Sequence, residues 1–504
     1  MSQIKHNIVA NFLGTGWTAI VTLGFVPLYI HFMGIEAYGL VGFFAVLMGV
    51  FSLLDMGLSA TMSREMARLS VSTDKAQEMH DLVRTLEVFY WGGGAVIALV
   101  VIFFAKTIAL HWVKPGQLST DTVTQAITLM GVAMALQWPF NFYAGGLIGL
   151  QRQVVLNGLI VTAATIRGVG AVLILWLVSP TIQAFFVWQI ISSGIRILLV
   201  AIFLWRSLPP AGARAGFKFY LFRGIWRFAA GITGISTTAL ILTQLDKIIL
   251  SKLLTLEMFG YYMLANVAAS AISYLVSPCY TAIYPRLTQL VAAGNRNELR
   301  EVYHRGCQLV SVLILPTAAV IAIFSPEILL LWTQSRISVE HTWLILSLLV
   351  VASALNGLKS LPYALQLANG WTSLTFYGNL IALIIMVPVI VLMTLHFEAV
   401  GAAIAGIILY GGFVLFLIPL AHRRLLPGEK WRWYLEDVGY PLLAALGLAG
   451  VGRWLIHGQM SLLVTGLFLL AVYVAALTGA ALAASLVRTQ IMGIAHRLKM
   501  TYGT

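Results

Sequence analysis

Charged residues are scarce in this sequence of 504 residues. They make up only 10% of the chain, whereas a soluble globular protein carries roughly 25%, and hydrophobic residues make up 60%. A soluble fold of this length cannot hide so much apolar surface from water. The composition therefore excludes a soluble enzyme, and we expect lipid to be the solvent for most of the chain.

Cysteines and catalytic motifs are also missing. The two cysteines, Cys279 and Cys307, do not form a metal-spaced pair, and the ten histidines are scattered. We find no nucleotide-binding motif. The longest predicted outer loop, near residues 111–121, is too short for a catalytic domain. We therefore predict a transporter rather than an enzyme, with no catalytic residue, no metal and no bound cofactor.

The apolar sequence is divided into runs long enough to cross a membrane. A spanning helix needs roughly 20 apolar residues, and we predict about 14 such helices. They are expected near residues 8–32, 37–60, 86–110, 122–147, 155–178, 183–206, 228–251, 257–284, 306–331, 341–367, 372–395, 398–420, 438–456 and 460–487. The predicted fold class is thus an all-α polytopic membrane protein.

Positive charge is distributed unevenly between the loops. The chain has 31 Lys and Arg residues and a net charge of +13. Alternate loops, counted from the N-terminus, hold 22 of these cations, the opposite loops hold 5, and four lie inside apolar runs. Because Lys and Arg accumulate in cytoplasmic loops, we predict that both termini are cytoplasmic. Cations placed in this way face anionic lipid headgroups and give no indication of nucleic acid.

A short motif recurs along the chain. Glu36-Ala-Tyr-Gly39 and Glu257-Met-Phe-Gly260 each open a predicted helix, 221 residues apart. A third, weaker copy is Glu398-Ala-Val-Gly401. Further matches at offsets of 222 to 223 are Arg64 with Arg286, Pro139 with Pro362, and Asn157 with Asn379. A repeat of six helices keeps both halves in one orientation and predicts a substrate path between them.

The repeat divides the chain into four parts. We predict an N-terminal six-helix bundle at 1–210, a basic cytoplasmic linker at 211–227 and a C-terminal six-helix bundle at 228–425. An extra helix pair and a cytoplasmic tail follow at 426–504.

Four cations lie inside predicted helices, namely Arg167, Arg196, Lys247 and Lys359. A cation at a helix centre costs about 2.5–3.5 kcal/mol on insertion scales, so we expect all four to face the protein interior or water. Arg167 and Arg196 lie at similar depth on neighbouring helices, and neither helix contains an acid. Because guanidinium forks bind phosphate bidentately, we predict that these two arginines bind an anion.

Embedded acids are fewer, and each has two interpretations. Asp246 and Lys247 either take part in substrate binding or pair with each other and lock helices together. Asp55 either carries a proton in a coupled transport cycle or caps a helix end.

Aromatic residues also lie among the spans. Some of them offer a flat apolar face on which a sugar ring can stack, and the others are expected to be ordinary packing. The set comprises Trp17, Tyr90, Trp91, Trp138, Tyr143, Tyr274, Tyr280, Tyr284, Tyr363 and Tyr377.

Two stretches resemble a known family. One is Leu54-Asp55-Met-Gly57-Leu58 leading to Arg64-Glu65, and the other is Asp246-Lys247 leading to Glu257 and Gly260. Both are similar to the polysaccharide transporter family, the O-antigen type flippases. The same superfamily includes multidrug and toxin extrusion transporters and the lipid II flippase. The resemblance implies two six-helix bundles in a V around a cationic cavity lined by Arg167, Arg196 and Lys359.

The resemblance also implies a function. A flippase of this family would move an undecaprenyl-pyrophosphate-linked oligosaccharide, such as an O-antigen repeat unit, to the periplasmic leaflet of a bacterial inner membrane. It would work by alternating access, as a proton- or sodium-coupled antiporter. Its expected partners are membrane lipids and the polysaccharide polymerase and chain-length machinery.

Two alternatives stay open. A multidrug exporter needs embedded acids, yet the membrane interior here has more cations than acids. A lipid II-type flippase shares the extra helix pair, although the first helix here has no embedded Arg.

The loop charges predict the topology, which reporter fusions can test. A C-terminal fluorescent protein joined after Gly212 is expected to fluoresce, because this loop is predicted to be cytoplasmic. Alkaline phosphatase joined after Gly116 is expected to be active, because that loop is predicted to lie outside. The reverse pattern at both positions would contradict the predicted orientation.

Overall fold

The computed structural model of the protein describes residues 2–456 and 460–490, and the side chains of 14–72, 74–223, 237–456 and 460–490. All regular elements in these ranges are helices, and eleven helical segments are long and apolar enough to cross a membrane. Hydrocarbon cannot bond exposed backbone groups, which is why such a chain folds into helices. The predicted all-α polytopic class is confirmed, whereas the count of 14 helices stays a prediction. Of the extra helix pair and tail predicted at 426–504, residues 457–459 and 491–504 lie outside the described residues.

The helices form two compact units. Unit 1 comprises Met1–Gly260 and unit 2 comprises Tyr261–Thr504. Unit 1 contains α1 (Ser2–Met33), α2 (Ile35–Ser52), α3 (Leu58–Leu69), α4 (Ala76–His111), α5 (Thr120–Gln137), α6 (Phe140–Gly149), α7 (Gln153–Leu177), α8 (Ile182–Ser207), α9 (Phe219–Leu253) and the start of α10 (Leu256–Ala269). The predicted linker at 211–227 is irregular only as far as Lys218, because α9 already begins at Phe219.

Packing in unit 1 brings α7 and α8 together. Helix α1 packs on α7, α7 on α8, and α5 on both α4 and α8. A buried cluster drawn from α3, α4, α6, α7 and α8 packs inside this bundle and includes Met62, Leu86, Phe142 and Val200. The two helices that carry Arg167 and Arg196 are therefore direct neighbours.

Unit 2 is organised around one central helix. It contains the rest of α10, then α11 (Ala271–Ala292), α12 (Arg296–Ile323), α13 (Ser325–Thr333), α14 (Arg336–Leu358), α15 (Ser360–Ala368), α16 (Thr372–Gly412), α17 (Ile418–Leu425), α18 (Lys430–Arg432), α19 (Tyr440–Leu455) and α20 (Leu462–Ala483). Two π-helical turns, Phe413–Leu417 and Trp433–Gly439, precede α17 and α19. Helix α12 contacts α11, α14, α19 and α20.

Several spans are interrupted within their length. Pro139 separates α5 from α6, and Pro362 follows the α14–α15 break at Lys359. Proline has no N–H, so it cannot bond the carbonyl four residues earlier, and the helix breaks or bends. These are the two prolines that the repeat predicted. The span α2–α3 is interrupted at Met56 and Gly57, both in the left-handed region (φ 45° and 74°).

The glycine of the recurring motif is explained by a close contact between backbones. A Cβ at Gly39 would collide with the carbonyl oxygen of Leu256, and one at Gly260 would collide with that of Ile35. The contact is reciprocal, because Leu256 and Ile35 are themselves 221 residues apart. In the third copy, Gly401 meets the carbonyl of Met393 in the same way. Each motif glycine therefore allows a helix start to lie directly against another backbone.

Substitution of a motif glycine tests this close approach. Gly39→Ala is expected to lower the free energy of unfolding by about 1–3 kcal/mol, because the new methyl group overpacks against a carbonyl. Gly92→Ala is the matched control, since no atom lies within 4 Å of the Cβ that it adds to α4. It is expected to be neutral or stabilising. Thermal unfolding in detergent measures both, and equal unfolding temperatures would contradict the close contact.

Candidate functional site

Two arginines of unit 1 line one pocket inside the membrane-spanning region. Arg167 of α7 and Arg196 of α8 meet there, as predicted, across a cavity of about 130 Å³. The guanidinium carbon of Arg196 lies 4.3 Å from the centre of the Phe140 ring, and Trp188 Nε1 donates to the backbone oxygen of Arg167 (3.0 Å). The other lining residues are Thr18, Ile160, Ala163, Ala164, Ser192 and Ser193.

The positive charge of this pocket is not neutralised by an acid. Among the residues that the structure describes, neither Arg167 nor Arg196 forms an ion pair. The pocket hydroxyls of Thr18 and Ser192 donate to the carbonyls of Gly14 and Gln189 within their own helices (2.8 and 3.2 Å). The two guanidiniums and the Ser193 hydroxyl, which forms no hydrogen bond with the described residues, are thus left to bind a ligand. A small cavity with two forked cations suits one or two phosphate groups.

The third predicted cation lines a pocket of unit 2. Lys359 lies at the α14–α15 break and borders a cavity of about 340 Å³. Its ammonium group lies 4.5 Å from the centre of the Phe413 ring and 5.4 Å from that of Tyr410, so cation–π contacts hold it in place. Lys359 has no acidic partner within the described part of the chain.

The walls of the unit 2 pocket are polar and aromatic. Tyr280 and Tyr363 line it, and Tyr284 stacks on Tyr280 with ring centres 5.6 Å apart and an interplanar angle of 13°. Tyr363 is nearly parallel to Tyr280 as well, at 6.5 Å and 17°. The remaining polar walls come from Ser273, Ser277, Ser353, Asn356 and Ser360.

The predicted pair Asp246 and Lys247 is joined by an ion pair. Lys247 Nζ lies 3.1 Å from Asp246 Oδ1 and also donates to the carbonyl of Thr243 (3.0 Å). This geometry agrees with the pairing interpretation. A role for the two residues in substrate binding stays a prediction.

Asp55 is held at the break between α2 and α3. It accepts hydrogen bonds from the Ser59 hydroxyl (2.5 Å), from the Ser59 N–H (3.4 Å) and from the hydroxyl of Tyr90. The carboxylate therefore caps the start of α3, as one of its two interpretations expected. Proton coupling at Asp55 stays a prediction.

Sequence reasoning missed a buried polar cluster in unit 2. The ring of His304 in α12 is fully buried, with Nδ1 at 2.5 Å from Asp437 and Nε2 at 3.0 Å from Glu429. Gln308 donates to the other oxygen of Asp437 (3.1 Å) and accepts the N–H of Leu486 (2.8 Å). The cluster fixes the extra helix pair to α12.

Glu36 of the recurring motif also has a structural role that was not predicted. Its carboxylate accepts the backbone N–H groups of Gly116, Gln117 and Leu118 (2.6, 2.9 and 3.2 Å). Glu36 therefore shapes the loop after α4, and its position at a helix start was the signal available in the sequence. No group of three metal-ligating side chains suited to a metal ion occurs among the described residues.

Comparisons with known proteins agree with this architecture. The family model described as "Polysaccharide biosynthesis protein" matches residues 4–291. The "Putative O-antigen transporter" of Shigella flexneri is 20% identical over 406 residues, which cover 80% of this chain and 94% of that protein.

Solved structures share the fold. The lipid II flippase MurJ in an inward closed conformation superposes with a TM-score of 0.70 at 13% identity, covering 93% of this chain and 97% of that one. An inward-facing multidrug resistance MATE family transporter of the MOP superfamily gives 0.64 at 15% identity, covering 83% and 96%. At such low identity the structural likeness establishes the fold alone.

The buried cluster generates a stability prediction with a neighbouring control. Asp437→Asn is expected to cost about 1–3 kcal/mol in free energy of unfolding, because an amide replaces the fully buried carboxylate whose two oxygens bond His304 and Gln308. Glu436→Gln alters the neighbouring residue, whose side chain is 42% exposed and, among the described residues, pairs only with Arg432; it should cost less than about 1 kcal/mol. Thermal unfolding in detergent compares the two, and a loss of stability in Glu436→Gln as large as that in Asp437→Asn would argue against the cluster.

Proposed function

Since the chain belongs to the polysaccharide biosynthesis protein family, we propose that this multi-pass membrane protein is a flippase for a lipid-linked saccharide. The family model covers more than half of the sequence, and the named relatives are transporters or flippases rather than enzymes. The prediction of a transporter is in line with these relatives. Membrane lipids surround such a protein and also carry its substrate.

The observation that carries the proposal is that Arg167 and Arg196 line the same cavity. Two guanidiniums that form no ion pair with any described residue face one cavity within the membrane region, where they repel each other and are costly in a low-dielectric environment. A bound anion removes both costs. The pyrophosphate of a lipid-linked saccharide is such an anion, and its isoprenoid chain can stay in the bilayer while the head group enters the protein.

The finer parts of the proposal follow from the family and from the embedded charges. The substrate is an undecaprenyl-pyrophosphate-linked oligosaccharide of the O-antigen kind, moved across a bacterial inner membrane to the periplasmic leaflet. Both protein termini lie in the cytoplasm. Coupling to a proton or sodium gradient, and contact with a polymerase and chain-length machinery, belong to the same proposal.

Charge reversal in the pocket tests this function. A deletion strain is complemented with Arg167→Glu or Arg196→Glu, and surface polysaccharide and lipid-linked intermediates are measured. Loss of one charge-assisted contact, about 1.5–3 kcal/mol, should lower surface glycan roughly 10-fold or more while intermediates accumulate. Arg214→Glu is the control, because Arg214 is exposed in the irregular segment before α9 and should support normal glycan levels.

Other outcomes favour the alternatives. Normal surface glycan in the deletion strain, together with new sensitivity to cationic drugs, would favour a multidrug exporter. Accumulation of lipid II, with surface polysaccharide intact, would favour a lipid II-type flippase. Wild-type activity in both reversal variants would contradict an anion-binding role for the two arginines.

A further inference from the structure

The unit 2 pocket beside Lys359 has a different chemistry from the arginine pocket. Its volume of about 340 Å³ lies within the ~300–1,000 Å³ range of pockets that enclose a small organic ligand. The arginine pocket, at about 130 Å³, is too small for a whole sugar ring. The two pockets therefore suit ligand groups of different size.

The polar side chains of this pocket are left without partners. Within the described residues, the side chains of Ser273, Ser277, Ser353, Asn356 and Ser360 make no hydrogen bond to another part of the chain. The Ser360 hydroxyl oxygen is buried without a partner. Serine and threonine within helices usually donate to a carbonyl of the preceding turn, as Thr317 does to Leu313 (2.7 Å). Several uncommitted donors and acceptors in one cavity match a ligand with many hydroxyl groups.

The tyrosines supply the aromatic surface that a sugar-binding site needs beside its polar groups. Tyr280 and Tyr363 face the cavity with nearly parallel rings, and Tyr284 extends the stack. A pyranose ring has an apolar C–H face and a rim of hydroxyl groups. Its face can lie on an aromatic ring while its rim bonds the serines and Asn356.

Lys359 adds a charge preference. Its ammonium group is positioned by Phe413 and Tyr410 and has no acidic partner among the described residues. A sugar that carries a carboxylate would supply that partner, and an uncharged sugar would not.

We propose that the unit 2 pocket binds one sugar ring of the transported saccharide, and that Lys359 favours a ring bearing a carboxylate. This inference rests on the proposed function, because it assigns the sugar portion of the substrate to this pocket. It also assigns Lys359 to the sugar rather than to the pyrophosphate.

Saturation-transfer NMR on the full-length protein in lipid nanodiscs tests the proposal. The probes are free glucuronate and free glucose, and both are expected to receive saturation from the wild-type protein, glucuronate more strongly. Tyr280→Ala should weaken binding of both sugars by about 2- to 10-fold, because a stacking face is lost. Tyr280→Phe keeps the ring and should retain most of the binding. Lys359→Gln should remove the preference for glucuronate and leave glucose unchanged.

Two control variants show whether a loss of sugar binding comes from the unit 2 pocket or from changes elsewhere in the protein. Tyr377→Ala removes a tyrosine that is 60% exposed outside the pocket and should bind both sugars as the wild type does. Arg167→Glu should also bind both sugars normally while it fails in transport, since Arg167 lines the unit 1 pocket. Each variant must match the wild type in size-exclusion profile and unfolding temperature.

The outcomes distinguish this inference from the proposed function. Absence of saturation transfer to either sugar in folded wild-type protein, or unchanged transfer in Tyr280→Ala, would overturn the sugar pocket even if surface glycan depends on the gene. Sugar binding that depends on Tyr280 would support the pocket even in a strain whose surface glycan is intact. In that case the proposed function would fail and the binding site would stand.

Discussion

The structure depends on one constraint, which is that hydrocarbon cannot bond a free backbone N–H or carbonyl group. Helices satisfy it, and interruptions survive only where protein or water covers the exposed groups. Three of the interruptions in this chain lie beside polar side chains. Asp55 caps the α3 start after the left-handed turn at Met56, Lys359 lies at the break caused by Pro362, and Asp437 belongs to a π-helical turn. Polar chemistry accompanies irregular backbone at these three positions, whereas Arg167 and Arg196 lie within the regular helices α7 and α8.

Embedded charges in this protein fall into two kinds. His304 bonds both Asp437 and Glu429, and Glu429 also pairs with Arg300 and Arg432, so these groups find their partners within the fold and hold the segment before α19 to α12. Arg167, Arg196 and Lys359 have no such acidic partner among the described residues, and each borders a cavity. The first kind adds stability to the native state only while it stays complete. The second kind costs stability unless a ligand is bound, and that is the usual signature of a binding residue.

Sequence reasoning succeeded where a local pattern has one physical consequence. Long apolar runs predict spanning helices, and the insertion cost of a cation predicts that Arg167 and Arg196 face inward. It failed where partners are distant in sequence. His304 and Asp437 are separated by 133 residues, and only the packing of α19 on α12 brings them together. The sequence does not distinguish Tyr280 and Tyr363 from the other eight aromatic residues of the set. The packing of α11 on α15 places both of them on one cavity. The sequence of residues 433–439 contains no pattern that predicts a π-helical turn.

The reciprocal contact of Gly39 and Gly260 has a consequence for how these two positions tolerate substitution. Each glycine meets a carbonyl oxygen of the other copy, and a carbonyl cannot be made smaller by any substitution. A larger side chain in one half therefore cannot be accommodated by a compensating change in the other. Substitution is therefore expected to be costly at each of the two positions independently. The motif that recurs along the chain marks a place where one backbone lies against another.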